Sequence, residues 1–338
     1  MTHPILELRN LTVEFRSPLE TVRAADGLDI EVQHGETFAI VGESGSGKTV
    51  SMMAAMRLLP VPPAHIEADA VRFDGQDILT IPARQWRAYA GKRLAMVFQD
   101  ALTALNPVYS IGWQIGEMFR VHQPDMGRRE IRERVTELLA EVGIPDPAGR
   151  VDDFPHQFSG GMRQRAMIAM GIALNPELLI ADEPTTALDV TVEAQIMDLL
   201  ARLRESHRMS MVLITHDLGL VAENADRVAI MYAGRVMETG PVGDVLTEPR
   251  HPYTRGLLAA RPGAGAMGQD LRSIPGSPPN LARPPRGCPF HPRCPLAAPV
   301  CRAERPMLRP NAIGTRAACH AVDAPGGQFR MRPEEAFA

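Results

Sequence analysis

The 338-residue sequence predicts an α/β fold. Short apolar runs that suit buried strands recur along the chain, and the run at residues 36–41 precedes a glycine-rich loop, residues 42–49. A Met-, Ala- and Leu-rich stretch at residues 50–59 follows the loop and suits a helix that Pro60 ends. The composition agrees, because 45% apolar and 5% aromatic residues are ordinary for a soluble α/β protein.

The composition changes near residue 261. Residues 261–338 contain 11 Arg against 5 Asp and Glu, together with 14 of the 30 prolines. The net charge of −4 therefore divides into +6 for this segment and −10 for residues 1–260. We predict one large domain over residues 1–260 and an extension over residues 261–338. So small a net charge gives no argument for a nucleic-acid partner.

The sequence shows no membrane span and no export signal. No apolar run approaches the length that a bilayer requires, and the first residues lack a basic segment followed by an apolar one. We expect the chain to stay in the cytosol, where disulfides are unusual. If it works at a membrane, other subunits must hold it there.

The first two predicted strands cover residues 6–15 and 27–32. Phe15 lies at the end of the first strand. Its ring can stack on an adenine, because every base offers an aromatic face. A core phenylalanine is the alternative interpretation of Phe15.

Residues 42–49 fit the pattern G-x-x-x-x-G-K-[ST]. A strand, a glycine loop and a helix let backbone N–H groups converge on phosphates at the positive end of the helix. Lys48 can then reach the β- and γ-phosphates, and the Thr49 hydroxyl can bind Mg²⁺. A chance glycine-rich turn is the alternative, and the flanking strand and helix argue against it.

The next apolar run ends in a polar amide, Gln99, which can point at a metal ion or at attacking water. Residues 100–158 then change character, and we predict an inserted helical subdomain there. Within it, residues 128–142 place apolar side chains on one face and charged side chains on the other, and Gly143 is a natural stop.

Ser159, Gly160 and Gly161 precede the apolar helix predicted at residues 166–174. A serine and two glycines at the start of a helix form a second anion-binding end. A single nucleotide needs only one such end as its cradle. The simplest interpretation is that two chains face each other, each giving this turn to the nucleotide of the other.

The run at residues 178–183 ends in two carboxylates, Asp182 and Glu183. Asp182 would hold Mg²⁺ together with Thr49, and Glu183 would orient or deprotonate the attacking water. Helix capping is the alternative role for such a pair. A further apolar strand ends at His216, for which we predict contact with the γ-phosphate, and residues 227–232 and 236–239 form a predicted hairpin.

Together these motifs resemble the ATP-binding subunit of an ABC transporter. The glycine loop, Gln99, the Ser159-Gly160-Gly161 signature, the Asp182-Glu183 pair and Asp189 occur in the family's order, as does His216, over about residues 5–245. The resemblance implies an ABC cassette of the P-loop NTPase class, with a RecA-like core, an N-terminal antiparallel β part and an inserted helical subdomain. A small irregular C-terminal extension would follow.

The finer resemblance is to the subunits that power bacterial dipeptide, oligopeptide and nickel importers. It is carried by residues 158–165, residues 181–189, the segment His251-Pro252-Tyr253-Thr254 and the cysteine-rich tail. The resemblance implies ATP hydrolysis in a dimer with a second, related ATPase subunit. It also implies two membrane permease subunits, an extracytoplasmic substrate-binding protein and a peripheral location at the cytoplasmic face of the bacterial plasma membrane.

Pattern and resemblance together predict the site residues. The predicted ATP-binding residues are Phe15, Gly42, Glu43, Ser44, Gly45, Ser46, Gly47, Lys48, Thr49, Ser159, Gly160, Gly161 and Asp189. The predicted catalytic residues are Glu183, His216, Gln99 and Lys48, and the predicted Mg²⁺ ligands are Thr49, Gln99 and Asp182.

All four cysteines lie in the extension, at Cys288, Cys294, Cys301 and Cys319. Their C-x5-C-x6-C-x17-C spacing lacks the close pair that zinc sites favour, and four thiolates can hold a 4Fe–4S cluster. The spacing is compatible with an iron–sulfur cluster, with a zinc site and with the absence of any metal. The resemblance favours the iron–sulfur cluster. Such a site would fasten a proline-rich segment that has few core residues.

Three alternatives to peptide import remain at this point. The first is the same role in a nickel or other small-solute importer. The second is an ABC ATPase outside transport, although such proteins usually carry coiled coils, tandem cassettes or basic insertions that this sequence lacks. The third is a metal sensor that only binds nucleotide, against which the intact carboxylate pair argues.

Overall fold

The computed structural model of the protein describes residues 3–186, 188–260, 273–310 and 314–321. The strands are β1 (Leu6–Arg16), β2 (Thr21–Val32), β3 (Thr37–Val41), β4 (Ala64–Glu67), β5 (Ala70–Phe73), β6 (Gln76–Asp77), β7 (Leu94–Val97), β8 (Leu178–Asp182), β9 (Ser210–Thr215), β10 (Arg227–Tyr232), β11 (Arg235–Pro241), β12 (Arg309–Pro310) and β13 (Arg316–Ala317). The domain boundary predicted at residue 261 and the last part of the extension lie outside the described residues.

The α-helices follow the same chain order. They are α1 (Lys48–Ala55), α2 (Ala83–Tyr89), α3 (Ala101–Ala104), α4 (Ile111–His122), α5 (Arg128–Glu141), α6 (Pro147–Arg150), α7 (Gly160–Ile172), α8 (Val190–His207), α9 (Leu218–Asn224), α10 (Val242–Thr247), α11 (Pro252–Ala259) and α12 (Pro299–Ala303). Short 3-10 helices cover Pro155–Gln157 and His291–Arg293. Among the described residues, no helix combines the length and the apolar character needed to cross a membrane.

The described residues divide into two compact units. The first contains those within Met1–Val32, Thr37–Leu79 and Thr215–Ala338, and the second those within Gln33–Glu36 and Thr80–Ile214. The described part of the extension therefore belongs to the same unit as the glycine-rich loop.

The first unit contains an antiparallel sheet in the order β2-β1-β5-β6, with β4 also paired to β1. Strand β1 forms because its apolar side chains alternate with polar ones, and the apolar set (Leu6, Leu8, Leu11 and Val13) is buried. This sheet is the N-terminal antiparallel part that the sequence predicts, and the α/β expectation is confirmed.

A second group of strands in the first unit surrounds β10. Strand β10 pairs in parallel with β3 and in antiparallel with β11, and the turn between β10 and β11 uses Ala233 at φ 49° and Gly234 at φ 77°. The predicted hairpin is therefore present. Strand β13 of the extension adds to the free edge of β11, and β12 pairs with β13. The sequence did not predict this addition.

The second unit contains the parallel strands β7, β8 and β9, with β8 between the other two. All residues of these strands are buried, as is typical of parallel strands covered on both faces. Helix α5 buries Ile131, Val135, Leu138 and Leu139, as its periodicity predicts, and Gly143 follows at φ 77°.

Helix α1 is shorter than the sequence predicts. The helix expected over residues 50–59 instead begins at Lys48 and ends at Ala55, because Arg57 adopts a left-handed conformation with φ 56°. The Arg57 guanidinium donates to the Ile78 carbonyl oxygen at 3.2 Å, which helps to hold the chain in this turn.

Candidate functional site

The glycine-rich loop joins the end of β3 to the start of α1. The Lys48 side chain is buried, and its Nζ donates to the carbonyl oxygens of Gly42 at 2.8 Å and Glu43 at 3.2 Å. No side chain caps the N-terminus of α1, so its first N–H groups remain suited to an anion. The Ser46 hydroxyl is buried without a hydrogen-bond partner, which fits a phosphate oxygen as its missing acceptor.

Two glycines of the loop are required by packing. A Cβ on Gly42 would lie 2.2 Å from the Met231 carbonyl oxygen, and one on Gly47 would lie 2.1 Å from the Ala24 carbonyl oxygen. Gly47 also has φ 95°, which only glycine adopts at little cost. By contrast, a Cβ on Gly45 would meet nothing within 4 Å. The loop thus packs closely on backbone at two of its glycines.

The second unit carries the carboxylate pair at the end of β8. Asp182 is the last residue of the strand and is 2% exposed. Glu183 follows with φ 44°, and its N–H donates to the Ile214 carbonyl oxygen at 2.8 Å. A left-handed glutamate is uncommon, and such backbone outliers concentrate at functional sites.

The Glu183 carboxylate receives two side-chain hydrogen bonds on the same oxygen. Gln99 Nε2 donates to Glu183 Oε2 at 2.8 Å, and the Thr186 hydroxyl donates to it at 2.9 Å. The structure therefore brings together Gln99 and Glu183, which are 84 residues apart in the chain. Both belong to the predicted catalytic set, and their roles stay predictions.

His216 follows β9 directly and is exposed. The next residue, Asp217, caps α9 by accepting from the Gly219 N–H. This cap fixes the direction in which the chain leaves the strand. Contact between His216 and a γ-phosphate stays a prediction.

The signature turn begins α7, which starts at Gly160 rather than near residue 166. The Ser159 hydroxyl caps the helix by accepting from the Met162 N–H at 3.3 Å, and Ser159 and Gly160 are exposed. Asp189 is also exposed and caps α8 by accepting from the Val192 N–H at 3.0 Å. Both residues thus stabilise helix starts that face solvent.

Phe15 lies on β1 and is half-buried, with Val22 and Ala64 as its neighbours on the flanking strands. A stacking role for its ring stays a prediction.

Sequence reasoning missed two residues that hold the glycine-rich loop. The Glu43 N–H donates to the Tyr253 hydroxyl oxygen at 3.0 Å. The Arg293 guanidinium donates to both carboxylate oxygens of Glu43, at 2.7 and 3.1 Å. The His251-Pro252-Tyr253-Thr254 segment was a recognisable motif, but no pattern in the sequence pointed to these contacts.

The segment at His251 explains how Tyr253 is placed. His251 caps α11, its Nδ1 accepting from the Tyr253 N–H at 3.0 Å. Burial lowers the pKa of His251 to about 3, so the ring stays neutral and can accept. Burial also raises the pKa of the Tyr253 phenol, which stays protonated. Glu238 accepts from the N–H groups of Arg250 at 2.7 Å and His251 at 2.9 Å.

The four cysteines line one pocket, together with His291 and His320. All four are free thiols, and the Cys288 N–H donates to the Cys301 carbonyl oxygen at 2.8 Å. Burial raises the pKa of Cys288 and Cys294 to about 11 and that of Cys319 to about 12. Four thiols from distant chain positions thus line one pocket, and a metal centre there would take them as thiolates.

Two regions of the chain match known families. Residues 25–186 match the family described as ABC transporter, and residues 237–301 match the oligopeptide/dipeptide transporter, C-terminal region. The second match includes both Tyr253 and Arg293.

Individual relatives cover most of the chain. It is 48% identical to the dipeptide transport ATP-binding protein DppD of Escherichia coli (strain K12), over 94% of this chain and 96% of that protein. It is 46% identical to the oligopeptide transport ATP-binding protein OppD of Bacillus subtilis (strain 168), over 90% of this chain and 85% of that protein.

Among solved structures, the fold is similar to the ATP-binding cassette MJ0796 in a dimeric post-hydrolysis state bound to ADP and Pi. The TM-score is 0.62 at 26% identity, over 70% of this chain and 98% of that chain.

Proposed function

The chain belongs to the ABC transporter family of ATP-binding proteins, and from this premise we propose that it hydrolyses ATP to power peptide import across a membrane. One observation carries the peptide assignment. Tyr253 lies in the region that matches peptide transporters, and its hydroxyl accepts from the N–H of Glu43 in the loop of residues 42–49, the phosphate loop. The region typical of peptide importers therefore contacts the nucleotide-binding loop directly.

The chain's residues divide the chemistry of ATP hydrolysis among them. The loop residues 42–49 bind the phosphates, and the Lys48 ammonium offsets their charge. Glu183, oriented by Gln99, accepts the proton of the attacking water. Thr49 and the buried Asp182 carboxylate are each oxygen donors of the kind that Mg²⁺ favours, and the ion would neutralise phosphate charge. His216 contacts the γ-phosphate.

A second ATPase subunit completes each site. Ser159 and Gly160 are exposed at the start of the 13-residue helix α7, where backbone N–H groups and the helix dipole favour an anion. They, with Gly161 and Asp189, would cap the nucleotide held by the partner's loop. This partner is a related chain, and two permease subunits and an extracytoplasmic binding protein complete the importer.

Exposed apolar side chains in the second unit support docking to the permease subunits. Val108 is 71% exposed and Leu102 is 64% exposed, and Phe98, Tyr109 and Trp113 are also exposed. The Tyr109 and Trp113 rings stack with centroids 4.0 Å apart. Exposed apolar groups of this kind mark protein interfaces. Docking there would hold the chain at the cytoplasmic face of the membrane.

The cysteine pocket is proposed to hold a 4Fe–4S cluster. Four free thiols line one pocket, which supports a four-thiolate site, and their spacing is unlike that of zinc motifs. When bound, the cluster would tie together parts of the extension that have few core residues of their own. A zinc ion is the alternative occupant.

Uptake of a labelled dipeptide in a deletion strain tests the proposed function. The wild-type gene should restore uptake, and a Glu183→Gln gene should not. Leu102→Glu should reduce uptake while the purified protein keeps its ATPase activity, because the variant changes docking alone. Restored nickel uptake with no peptide uptake would favour the nickel-importer alternative. No transport defect in the deletion strain would favour an ABC ATPase outside transport.

Metal and sulfide analysis of anaerobically purified protein tests the cluster. We expect about four iron and four sulfide per chain, with loss of both in Cys301→Ser. Zinc without sulfide would identify the alternative occupant. The absence of both iron and zinc would rule out the proposed cluster.

A further inference from the structure

A buried arginine connects the cysteine-bearing segment to the phosphate loop. Arg293 lies between Cys288 and Cys294 in sequence, and its side chain is only 5% exposed. Its two terminal nitrogens donate to the two carboxylate oxygens of Glu43, at 2.7 and 3.1 Å. The planar guanidinium matches a carboxylate in this paired arrangement, which fixes direction as well as distance.

Arg293 is also anchored by groups other than Glu43. Its Nε donates to the Pro275 carbonyl oxygen at 2.9 Å, and one terminal nitrogen donates to the Ile274 carbonyl oxygen at 3.3 Å. The guanidinium further donates to the Tyr232 hydroxyl at 3.3 Å. These contacts hold the Arg293 guanidinium in one orientation, with both terminal nitrogens directed at the Glu43 carboxylate.

The backbone around Arg293 belongs to the cysteine pocket. Arg293 ends the 3-10 helix His291–Arg293, and its N–H donates to the Phe290 carbonyl oxygen at 3.0 Å. Phe290 lines the same pocket as the four cysteines and packs edge-on against Tyr232, with ring centroids 5.3 Å apart. A group that draws the cysteines together would therefore also fix the position of Arg293.

Glu43 transmits this position to the phosphate-binding lysine. The Glu43 carbonyl oxygen accepts from Lys48 Nζ at 3.2 Å, and its N–H is held by Tyr253. Arg293 also neutralises the Glu43 carboxylate, which stands in a loop that must receive a polyanion. Without the arginine, that carboxylate would repel the triphosphate.

We propose that Arg293 is a positioning residue of the phosphate loop, and that filling of the cysteine pocket strengthens ATP binding through the Arg293–Glu43 pair. The inference rests on ATP binding at residues 42–49 and on an occupied cysteine pocket, not on the identity of the transported solute.

Titration of full-length, anaerobically purified protein with a fluorescent, non-hydrolysable ATP analogue and Mg²⁺ tests the first step. We expect Arg293→Met to raise the Kd about tenfold (about 1.4 kcal/mol). Arg293→Lys should give a smaller rise, because it keeps the charge but loses the paired arrangement. Arg302→Met, an exposed arginine of the same extension, is the matched control and should bind like wild type.

The double variant Arg293→Met/Glu43→Gln tests whether Arg293 acts on ATP binding through Glu43. If the unpaired carboxylate causes the loss, the double variant should recover to within about threefold of wild type, a strongly non-additive result. A double variant as weak as Arg293→Met or weaker, or an Arg293→Met Kd equal to that of wild type, would overturn the proposal. Thermal unfolding of each variant checks that it is folded.

Cys319→Ser tests the link to the cysteine pocket, because this residue lines the pocket but lies far along the chain from Arg293. It should raise the Kd severalfold in the wild-type background and have no further effect in Arg293→Met. Equal effects in both backgrounds, or no effect in either, would disprove the link.

Lys48→Ala is the control for ATP binding itself and should abolish binding of the analogue. Wild-type protein that fails to bind the analogue would contradict the proposed function itself, whereas the results with the Arg293 and Cys319 variants concern only the present inference.

Discussion

The phosphate loop and the carboxylate edge at the end of β8 are built in different ways. Gly42 and Gly47 approach neighbouring backbone so closely that neither accepts a Cβ, and Glu43 is held by Tyr253 and Arg293. At the carboxylate edge, Glu183 has a left-handed backbone, and its carboxylate accepts hydrogen bonds from the side chains of Gln99 and Thr186.

We therefore expect the two regions to contribute differently to nucleotide binding and to catalysis. The loop is fixed by backbone packing and by a partly buried ion pair, which nucleotide binding need not rearrange. The Glu183 carboxylate is held by side-chain hydrogen bonds, each worth about 1.5–3 kcal/mol net because the acceptor is charged, and it can exchange these donors for water when nucleotide arrives. Changes in the loop should therefore cost stability and affinity, and changes at the carboxylate edge should cost turnover.

The largest expected effect is that of Glu183→Gln. Removing the proposed general base should lower ATP turnover about 1,000-fold, whereas the Kd for ATP should change little because the loop is intact. Phosphate release and nucleotide titration measure the two quantities, and Glu205→Gln, an exposed change on α8, is the control. Undiminished turnover would remove Glu183 from the mechanism.

Gly47→Ala should have the next largest effect, and it should act on stability. The new Cβ would meet the Ala24 carbonyl oxygen at 2.1 Å in a residue with φ 95°. We expect a loss of about 3 kcal/mol in the free energy of unfolding, measured by denaturant titration. Gly45 also has a positive φ, of 77°, but a Cβ added there would meet no atom within 4 Å, so Gly45→Ala is the matched control. It should cost about 1 kcal/mol, and equal losses would show that close packing at Gly47 contributes nothing.

Substitution of Gln99 should have the smallest effect on turnover of the three sites. It also tests most directly whether Gln99 acts through Glu183. Gln99→Ala removes the donor at 2.8 Å from Glu183 and should lower turnover about tenfold, with affinity nearly unchanged. Gln99→Glu keeps the length of the side chain but replaces the amide donor with a second carboxylate, which repels that of Glu183. Turnover should therefore fall further in Gln99→Glu than in Gln99→Ala. Equal turnover in the two variants would show that Gln99 does not act through Glu183.

Elements encoded by local patterns were predictable. The parallel strands, helix α5 with its stop at Gly143 and the hairpin at Ala233-Gly234 follow from periodicity and turn residues close together in the chain. Two helices are exceptions: α7 begins at Gly160 instead of near residue 166, and in α1 the left-handed Arg57 ends the helix before the position that Pro60 indicates. The end of α1 depends on a contact with Ile78, which periodicity does not report.

The sequence by itself determined the chemistry that we propose, because the glycine loop, the signature turn and the carboxylate pair are each recognisable within a few adjacent residues. Only the tertiary structure decided which distant residues support them. Arg293 meets Glu43 from 250 positions away, and β13 joins the edge of β11. Such contacts depend on how burial and hydrogen bonding are satisfied across the whole unit, and no local pattern records that outcome.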